Sequence, residues 1–374
     1  MTLQLNGTNG ITYNDGSLQP SAPVGRNLII NGDMSISQRA TSAAGLGAAS
    51  GYFTLDRFKM NINSASAGRF TMSQSAVTDL KGFSNALKID CTTVDTSIAA
   101  GEALFIQQNI EGFNAQSLKN GTSATNSFTL SFYAKSNASR AIASEVRLSS
   151  GTNRQASKLH TIGTSWAKYT FTVPAASSTQ IDNDNTSQVQ INFWLNGGTT
   201  FTSGTLSPTL AAATNANRAA GIGSIFASTA NTLEITGVQL EANTTATPFE
   251  NLQYTTQLQL CQRYYEKSYS IGVASIPPTN TALGAVTLTV NSTINGYMAG
   301  SRPFVVSKRA IPTIIIYSPS GSSGTVADGN TTNYKTGTAL QTGTAGFSLQ
   351  NNSGVTYTPV SNLIYFHFIA DAEL

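Results

Sequence analysis

The chain has 374 residues, of which 40% are hydrophobic but only 10% are charged, and its formal net charge is +3. Lys and Arg are not clustered, so the composition argues against nucleic-acid binding, which needs grouped cations facing the phosphates. No apolar run reaches the roughly 18 residues of a membrane-spanning helix. The N-terminus also lacks the basic and apolar regions of a signal peptide. The sequence therefore predicts a protein made in the cytoplasm, with no membrane insertion.

Hydroxyl and amide side chains supply most of the polarity of this chain. About one residue in three is Ser, Thr or Asn, whereas charged residues fall well below the roughly 25% of ordinary globular proteins. Thr favours strands, and Asn, Gly and Ser favour turns, so the composition predicts an all-β fold. A surface poor in charged residues is typical of a chain that buries much of its surface in an oligomer or a larger assembly. An adhesive protein with a hydroxyl-rich face would look the same.

Residues 1–25 are predicted to form a short N-terminal attachment segment. Its strand fragments are broken by Asn6-Gly7, Asn9-Gly10 and Asp15-Gly16, which are favoured hairpin-turn pairs. So short a segment cannot bury a core of its own. We therefore expect it to pair with another chain or to lie on a neighbour.

Residues 26–250 are predicted to form an antiparallel jelly-roll sandwich. The segment 27–39 reads as an apolar strand, an Asn-Gly turn and a polar strand, and 52–58 as an aromatic-rich strand. Period-two alternation marks the later strands, which are 69–73, 85–91, 102–110, 127–135, 145–149, 168–173, 188–195 and 232–241. The stretch 203–230 is a long loop of small residues, and such loops are either functional or packed on a partner.

The remaining sequence predicts one helix and a second β-domain. Residues 251–267 contain neither Gly nor Pro, and they are predicted to form a connector helix. Residues 268–374 are predicted to form a C-terminal β-sandwich. Its strands are expected at 285–290, 304–307, 313–318, 346–349 and 363–370.

Several of these segments together resemble a family of phage virion structural proteins, described as tail-fibre or tail-spike-like. The order and spacing of the motifs are more specific than any single one, and they cover most of residues 26–320. The motifs are Asn27-Leu-Ile-Ile-Asn-Gly-Asp-Met-Ser-Ile-Ser-Gln-Arg39, Tyr52-Phe-Thr-Leu-Asp-Arg-Phe58, Phe128-Thr-Leu-Ser-Phe-Tyr-Ala-Lys-Ser136, Ile235-Thr-Gly-Val-Gln-Leu-Glu241, Ala246-Thr-Pro-Phe-Glu250, Leu260-Cys-Gln-Arg-Tyr-Tyr-Glu-Lys267 and Lys308-Arg-Ala-Ile-Pro-Thr313.

The resemblance implies a jelly roll similar to carbohydrate-binding modules, a homotrimer and a place on the virion surface. In such a protein, residues 1–25 would dock onto other virion proteins, and exposed loops would meet a host-surface glycan. The helix would lie near the threefold axis, where Leu258, Tyr264 and Tyr265 are the expected contacts. No extended coiled-coil or collagen-like shaft is present, so tail fibre, head fibre and tail spike all stay open.

Aromatic rings beside amides and carboxylates are the groups that would bind a sugar, because sugar C–H faces stack on rings while hydroxyls need polar partners. Alternation places Trp194 on the polar side of its strand with Gln188, Gln190 and Asn192, so it would either stack on a sugar or cover a trimer neighbour. The candidate carbohydrate-binding residues are Trp194, Tyr133, Tyr169 and Tyr52.

A structural calcium ion is a further hypothesis, although no other cofactor is expected. Calcium prefers hard oxygen ligands, which Asp33, Asp56 or Glu241 would supply together with backbone carbonyls. Each of these carboxylates could equally cap a turn. Cys91 and Cys261 lie in no metal-ligand pattern, and the sequence does not decide whether they pair.

Few groups suited to catalysis are present, and we predict no enzyme activity. His367 lies in an aromatic strand and is interpreted as packed, and no GxSxG elbow occurs. A glycan depolymerase would need two facing carboxylates, which the sequence does not single out. The predicted function is a phage appendage acting in host attachment. A capsid decoration protein without a receptor role and a glycan depolymerase stay open as alternatives.

Overall fold

The computed structural model describes residues 25–64, 67–149, 153–177, 180–273, 284–289, 297–328, 334–350 and 363–374. It also describes three short strands near the N-terminus, which pair in order as an antiparallel sheet. They are β1 (Gln4–Asn6), β2 (Gly10–Thr12) and β3 (Leu18–Gln19). The predicted N-terminal segment therefore pairs with itself in this chain.

The predicted jelly-roll sandwich is confirmed as two antiparallel sheets of six strands each. In sheet I the strand order is β14-β11-β10-β13-β8-β5, and in sheet II it is β12-β9-β15-β7-β6-β4. Their bounds are β4 (Ser42–Leu46), β5 (Lys59–Asn63), β6 (Arg69–Ala76), β7 (Asn85–Thr93), β8 (Ala103–Glu111), β9 (Phe128–Ser136), β10 (Arg140–Leu148), β11 (Arg154–Ile162), β12 (Ala167–Val173), β13 (Ser187–Gly197), β14 (Ala211–Ala212) and β15 (Thr232–Glu241).

The inward side chains of the two sheets meet in one hydrophobic core. On β13 these are Val189, Ile191 and Phe193, the apolar set that alternation predicts. Phe193 packs edge-on against Phe132 of β9, with ring centroids 4.8 Å apart. Burying each such side chain stabilises the fold by about 1.5–3 kcal/mol, so the two sheets are held firmly face to face. Every second residue of β13 is left on the outer side of sheet I.

The segment 27–39 forms the predicted turn but not the predicted strands. Asn31 has a left-handed backbone with φ 61°, and an added Cβ on Gly32 would lie 2.1 Å from the Val238 carbonyl oxygen. The Asn31 side chain donates to the carbonyl of Ile36 and accepts from its N–H. Because a side chain satisfies the backbone here, no ladder forms. The segment 52–58 is likewise a series of turns rather than a strand.

The described helices are short, and none is long and apolar enough to cross a membrane. The predicted connector at 251–267 contains a helix, which is shorter than expected because the chain turns into a strand after Arg263. The α-helices are α1 (Gly112–Ala115), α2 (Thr199–Thr202) and α3 (Tyr254–Gln262), and the 3-10 turns are Gln116–Leu118, Asn215–Asn217 and Ile225–Ala227.

The C-terminal domain is built around its last strand, as the prediction of a second β-domain requires. β24 pairs with β16, β17, β19 and β20, and a second sheet has the order β18-β23-β22. Phe304, in a predicted strand, instead packs its ring into this core from a loop. The strands are β16 (Tyr265–Lys267), β17 (Val286–Thr289), β18 (Tyr297–Pro303), β19 (Thr313–Tyr317), β20 (Thr325–Asp328), β21 (Tyr334–Thr336), β22 (Thr338–Leu340), β23 (Gly346–Gln350) and β24 (Leu363–Asp371).

A buried ionic cluster, which we call the junction, joins the two domains. Arg57 is 1% exposed, pairs with Glu373 and lies 3.4 Å from the ring centroid of Tyr264. Glu111 accepts from the Arg263 guanidinium at 2.9 and 2.7 Å, and also from the Tyr264 hydroxyl. The junction comprises Arg39, Asp56, Arg57, Glu111, Arg263, Tyr264, Tyr265 and Glu373.

The junction corrects the prediction that Tyr264 and Tyr265 contact other subunits at a threefold axis. Tyr264 is 0% exposed and Tyr265 is 2% exposed within a single chain. The guanidinium of Arg39 lies 3.7 Å from the Tyr265 ring centroid. Both rings are covered by arginines from the jelly roll, so neither is available to a second copy. Leu258 is half-buried on α3 and keeps part of its surface.

Candidate functional site

The outer side of sheet I carries rows of amide side chains, and we call this surface the amide face. Pairing places Gln107 of β8 between Lys59 of β5 and Asn192 of β13, and Asn192 opposite Glu145 of β10. The next row holds one residue from each of β8, β13 and β10. The amide face comprises Lys59, Asn61, Gln107, Asn109, Glu145, Arg147, Gln190 and Asn192.

Hydrogen bonds fix the amides of this surface in place. Asn61 Nδ2 donates to Gln107 Oε1 at 2.7 Å, and Gln107 Nε2 donates to Asn192 Oδ1 at 2.9 Å. Asn192 Nδ2 then donates to Glu145 Oε2 at 2.8 Å. Because these side chains are already ordered, little further conformational entropy is lost when a polar ligand binds beside them.

One end of the amide face is closed by residues 198–222, which we call the cover segment. Phe201 packs on Trp194 with ring centroids 5.3 Å apart, and Phe105 packs on the same ring at 4.6 Å. Arg218 of the cover segment makes a bidentate ion pair with Glu145 at 2.9 and 3.0 Å. The loop predicted at 203–230 to be functional or packed on a partner is thus packed on its own sheet.

Trp194 lies on the polar side of its strand, as alternation predicts, but it is not a sugar-binding ring. It is 0% exposed beneath the cover segment, and its Nε1 donates to Glu145 Oε2 at 2.9 Å. The assignment fails because the strand pattern reports which side of the sheet a residue occupies, and not what later folds over that side.

The other end of the amide face is closed where the last residue meets the junction. Asn109 Nδ2 donates to the Leu374 carbonyl at 3.0 Å, and the Tyr52 hydroxyl donates to the same oxygen at 2.9 Å. Between the two closed ends, four side chains of the amide face remain half-buried and accessible from outside: Lys59, Asn61, Gln190 and Arg147. This opening is the candidate site.

Both carboxylates on the outer side of sheet I are fully engaged. Glu145 is 0% exposed and accepts from Asn192, Trp194 and Arg218. Glu111 is 0% exposed and is held by the junction. General acid–base hydrolysis of a glycoside needs two carboxylates facing the same bond. The arrangement instead suits hydrogen bonding to hydroxyl and anionic groups.

The three predicted sugar-binding tyrosines lie in three different places. Tyr133 is on sheet II, half-buried against Phe83 at 5.2 Å between ring centroids. Tyr169 stacks on Phe132 at 5.5 Å, and its hydroxyl accepts from the backbone of residue 163. Tyr52 alone lies beside the amide face, because its ring centroid is 5.7 Å from the Lys59 amine. The structure therefore does not gather these rings into one platform.

The proposed calcium ligands are not brought together either. No group of three or more His, Cys, Asp or Glu side chains suited to a metal occurs among the described residues. Asp33 accepts from Ser35, Asp56 from Gln38, and Glu241 from Gln239 and Thr247. Burial raises the pKa of Asp56 to about 6 against the opposing effect of Arg39. The three carboxylates cap separate loops, which is the alternative that the sequence left open for each of them.

The cysteines and histidines pack inside the two domains. Cys91 and Cys261 are both buried and free. His367 is 0% exposed with its Nδ1 3.0 Å from the Ser268 hydroxyl, which confirms its interpretation as packed. His160 is 5% exposed on β11 with its Nε2 2.8 Å from the Ser144 hydroxyl, and burial lowers its pKa to about 4.

No protein-family model matches the sequence, and no curated protein is similar to it. Solved structures with some likeness include a domain of tailspike protein 4 from bacteriophage CBA120, with 13% identity over 60% of this chain and 24% of the tailspike chain, and a TM-score of 0.31. The N-terminal cellulose-binding domain of a Cellulomonas fimi β-1,4-glucanase has 15% identity over 45% of this chain and 88% of that chain, with a TM-score of 0.27. A family 11 carbohydrate-binding module of Clostridium thermocellum has 12% identity over 59% of this chain and 97% of that chain, with a TM-score of 0.27.

Proposed function

We propose that the protein is a phage virion structural protein whose amide face binds a glycan on the host surface. The observation that carries the glycan part is the opening on the outer side of sheet I between the cover segment and the junction, where half-buried polar side chains lie beside an ordered row of amides. Amide groups both donate and accept, as sugar hydroxyls do. The phage part rests on the ordered set of sequence motifs that resemble tail-fibre and tail-spike-like proteins.

A binding role is favoured over a glycan depolymerase because both carboxylates on this side of sheet I are saturated by arginine and amide donors. The test for hydrolysis is direct. Purified protein incubated with host polysaccharide should release no reducing ends, whereas a steady release would show that a catalytic pair exists elsewhere on the chain.

Glycan binding is tested by changing Gln190, a member of the amide face whose donor group is unused among the described residues. Gln190 Nε2 has no acceptor among the described residues, while its Oε1 accepts weakly from Gln107 at 3.4 Å. Gln190→Ala should therefore weaken binding to purified host polysaccharide about tenfold, as expected when a ligand group loses its buried partner. Asn114→Ala, which removes an exposed amide from α1, is the matched control. Unchanged binding in Gln190→Ala would reject the amide face as the site.

The capsid decoration alternative and the homotrimer are tested separately. A decoration protein should neither bind host cells nor block infection, so adsorption of purified protein to cells distinguishes it from an attachment protein.

For the trimer, Tyr254 and Leu260 of α3 are 53% and 36% exposed, which leaves apolar surface for a second copy. Light scattering should give three times the chain mass of 39.2 kDa, and a stable monomer would contradict this.

A further inference from the structure

Two cations of the amide face have no counter-ion within the described parts of the chain. Arg147 on β10 is half-buried and makes no ion pair or hydrogen bond through its guanidinium with any described residue. Lys59 likewise has no carboxylate partner among the described residues, and its amine lies 5.7 Å from the centroid of the Tyr52 ring. The other arginine on this surface, Arg218, is neutralised by Glu145.

The charge balance of the opening is therefore positive. Glu145 and Arg218 cancel each other, and Glu111 is neutralised by Arg263, so the charges of Lys59 and Arg147 are left over. Burial and the nearby Arg218 lower the pKa of Arg147, against the opposing effect of Glu145. A partly desolvated cation without a counter-ion is destabilised, and an anion beside it would remove that cost.

Two glutamines are the strand partners of Arg147. Gln190 lies directly opposite Arg147 on β13, and Gln155 lies opposite it on β11. Gln155 is 2% exposed, and its Oε1 has no hydrogen-bond partner. A guanidinium offers a planar pair of N–H groups that matches a carboxylate or a phosphate. The Nε2 of Gln155 already donates to the Thr214 carbonyl and its oxygen only accepts, so the donors left for one anionic group are the Arg147 guanidinium and the Nε2 of Gln190.

We propose that the amide face selects an acidic glycan, with a carboxylate or phosphate group of the ligand bound at Arg147. This inference rests on the proposed function and names the class of glycan. Three strand spacings separate Lys59 from Arg147, or about 14 Å across the sheet. A saccharide with an anionic group on more than one residue would therefore reach both cations at once.

Selectivity is tested on a glycan array that holds neutral, uronate-containing and phosphate-substituted saccharides. The bound saccharides should be acidic, and their affinity should fall as salt is raised, because the contacts are between exposed charges. The best binder is then neutralised, a uronate by methyl esterification and a phosphate by phosphatase. Either treatment should weaken binding about tenfold, which also identifies the source of the charge.

Arg147→Gln then links the effect to the proposed position. It should weaken binding of the acidic saccharide about tenfold and leave its neutralised counterpart unchanged, so that esterification and substitution are not additive. Lys81→Gln, in the exposed loop between β6 and β7 of sheet II, makes the same change in net charge and should have no effect. An unchanged melting temperature in Arg147→Gln would show that the residue is not needed for folding.

The outcomes distinguish a failure of the acidic selectivity at Arg147 from a failure of glycan binding by the amide face. If neutral saccharides bind as tightly as acidic ones and Arg147→Gln binds the acidic ones as the wild type does, the acidic specificity is wrong while glycan binding stands. If Arg147→Gln and Lys81→Gln lose affinity equally, general charge attraction rather than this position is responsible, and the inference is again wrong. If no saccharide binds at all, the proposed function fails together with it.

Discussion

The amide face and the junction both lie at sheet I, but they differ in how their cations are paired. The junction arginines all make ion pairs, whereas Lys59 and Arg147 of the amide face make none with the described residues. In the junction, Arg57 and Glu373 are 1% and 5% exposed in their side chains and pair with each other. On the amide face, Arg147 is half-buried and unpaired among the described residues. Buried ion pairs hold parts of a structure in one arrangement, whereas an unpaired cation is available to a ligand. Substitutions should therefore affect stability at the junction and affinity at the amide face.

The largest effect is expected from Arg57→Ala in the junction. The substitution removes the nearer of the two arginines that pair with the buried Glu373, with Arg39 remaining at 3.4 Å, and it removes the bond from Arg57 to the Asn109 carbonyl. Breaking a buried pair in this way costs about 3–5 kcal/mol of unfolding free energy, measured by chemical denaturation. Lys59→Ala, two residues along the chain and without an ion pair, should cost about 0.5 kcal/mol. Equal losses in both variants would remove the distinction between the two regions.

A pH dependence should arise beneath the amide face and not at its surface. The pKa of His160 is about 4 in the folded chain, lowered by burial from its usual 6.5. Between these values the unfolded chain binds a proton that the folded chain does not. Neutral His160 therefore contributes about 3 kcal/mol to the free energy of unfolding above pH 6.5, and this contribution is lost as the pH falls from 6.5 to 4. The raised pKa of Asp56 acts in the opposite direction over nearly the same range, so the His160 contribution is measured as the difference between the stability curves of the wild type and His160→Gln. An unchanged curve would mean that His160 is protonated in place.

A smaller effect is expected from Trp194→Phe under the cover segment. The substitution keeps an aromatic ring against Phe105 and Phe201 but removes one donor to the buried Glu145 carboxylate. Losing one hydrogen bond to a charged group costs about 1.5–3 kcal/mol. Hydrogen exchange should show faster opening of residues 198–222, because these residues pack on that ring. Protection equal to the wild type would show that Arg218 alone holds the segment.

The smallest change in stability is expected from Asn61→Ala at the open end of the amide row. Asn61 is half-buried and donates one bond, to Gln107, so the loss should be about 1 kcal/mol. Calorimetry should show that its effect on glycan affinity exceeds its effect on unfolding. A variant that loses stability but no affinity would place the ligand nearer Arg147 than Asn61.

Most of the fold could be predicted from the sequence because the core strands show a clear period of two. β13 and β15 are examples, and the side of the sheet that Gln190 and Trp194 occupy followed from the same pattern. β11 was missed because polar residues interrupt its alternation, whereas β5 was missed although Met60 and Ile62 alternate with polar residues. The strands expected at 27–39 do not form because Asn31 supplies the backbone hydrogen bonds itself.

The candidate site was less predictable because it is made by pairing across distant strands. Gln107, Glu145 and Arg147 become neighbours only through the register of β8, β13 and β10. The cover segment and the junction then decide which side chains stay accessible, and neither has a signature in the local sequence. Tyr264 and Tyr265 show the same limit, since the arginines that cover them lie about 200 residues earlier in the chain.

The hydrogen bonds of the amide row all run in one direction. Each amide turns its N–H₂ group toward Glu145, so the oxygens of Asn61, Gln107 and Asn192 all turn away from it. The Glu145 carboxylate can only accept, so it fixes the orientation of Asn192, and each amide in turn fixes the orientation of the next one across three strands. A glutamine in place of Glu145 could present either its oxygen or its N–H₂ group to Asn192, so the row would no longer have one preferred direction.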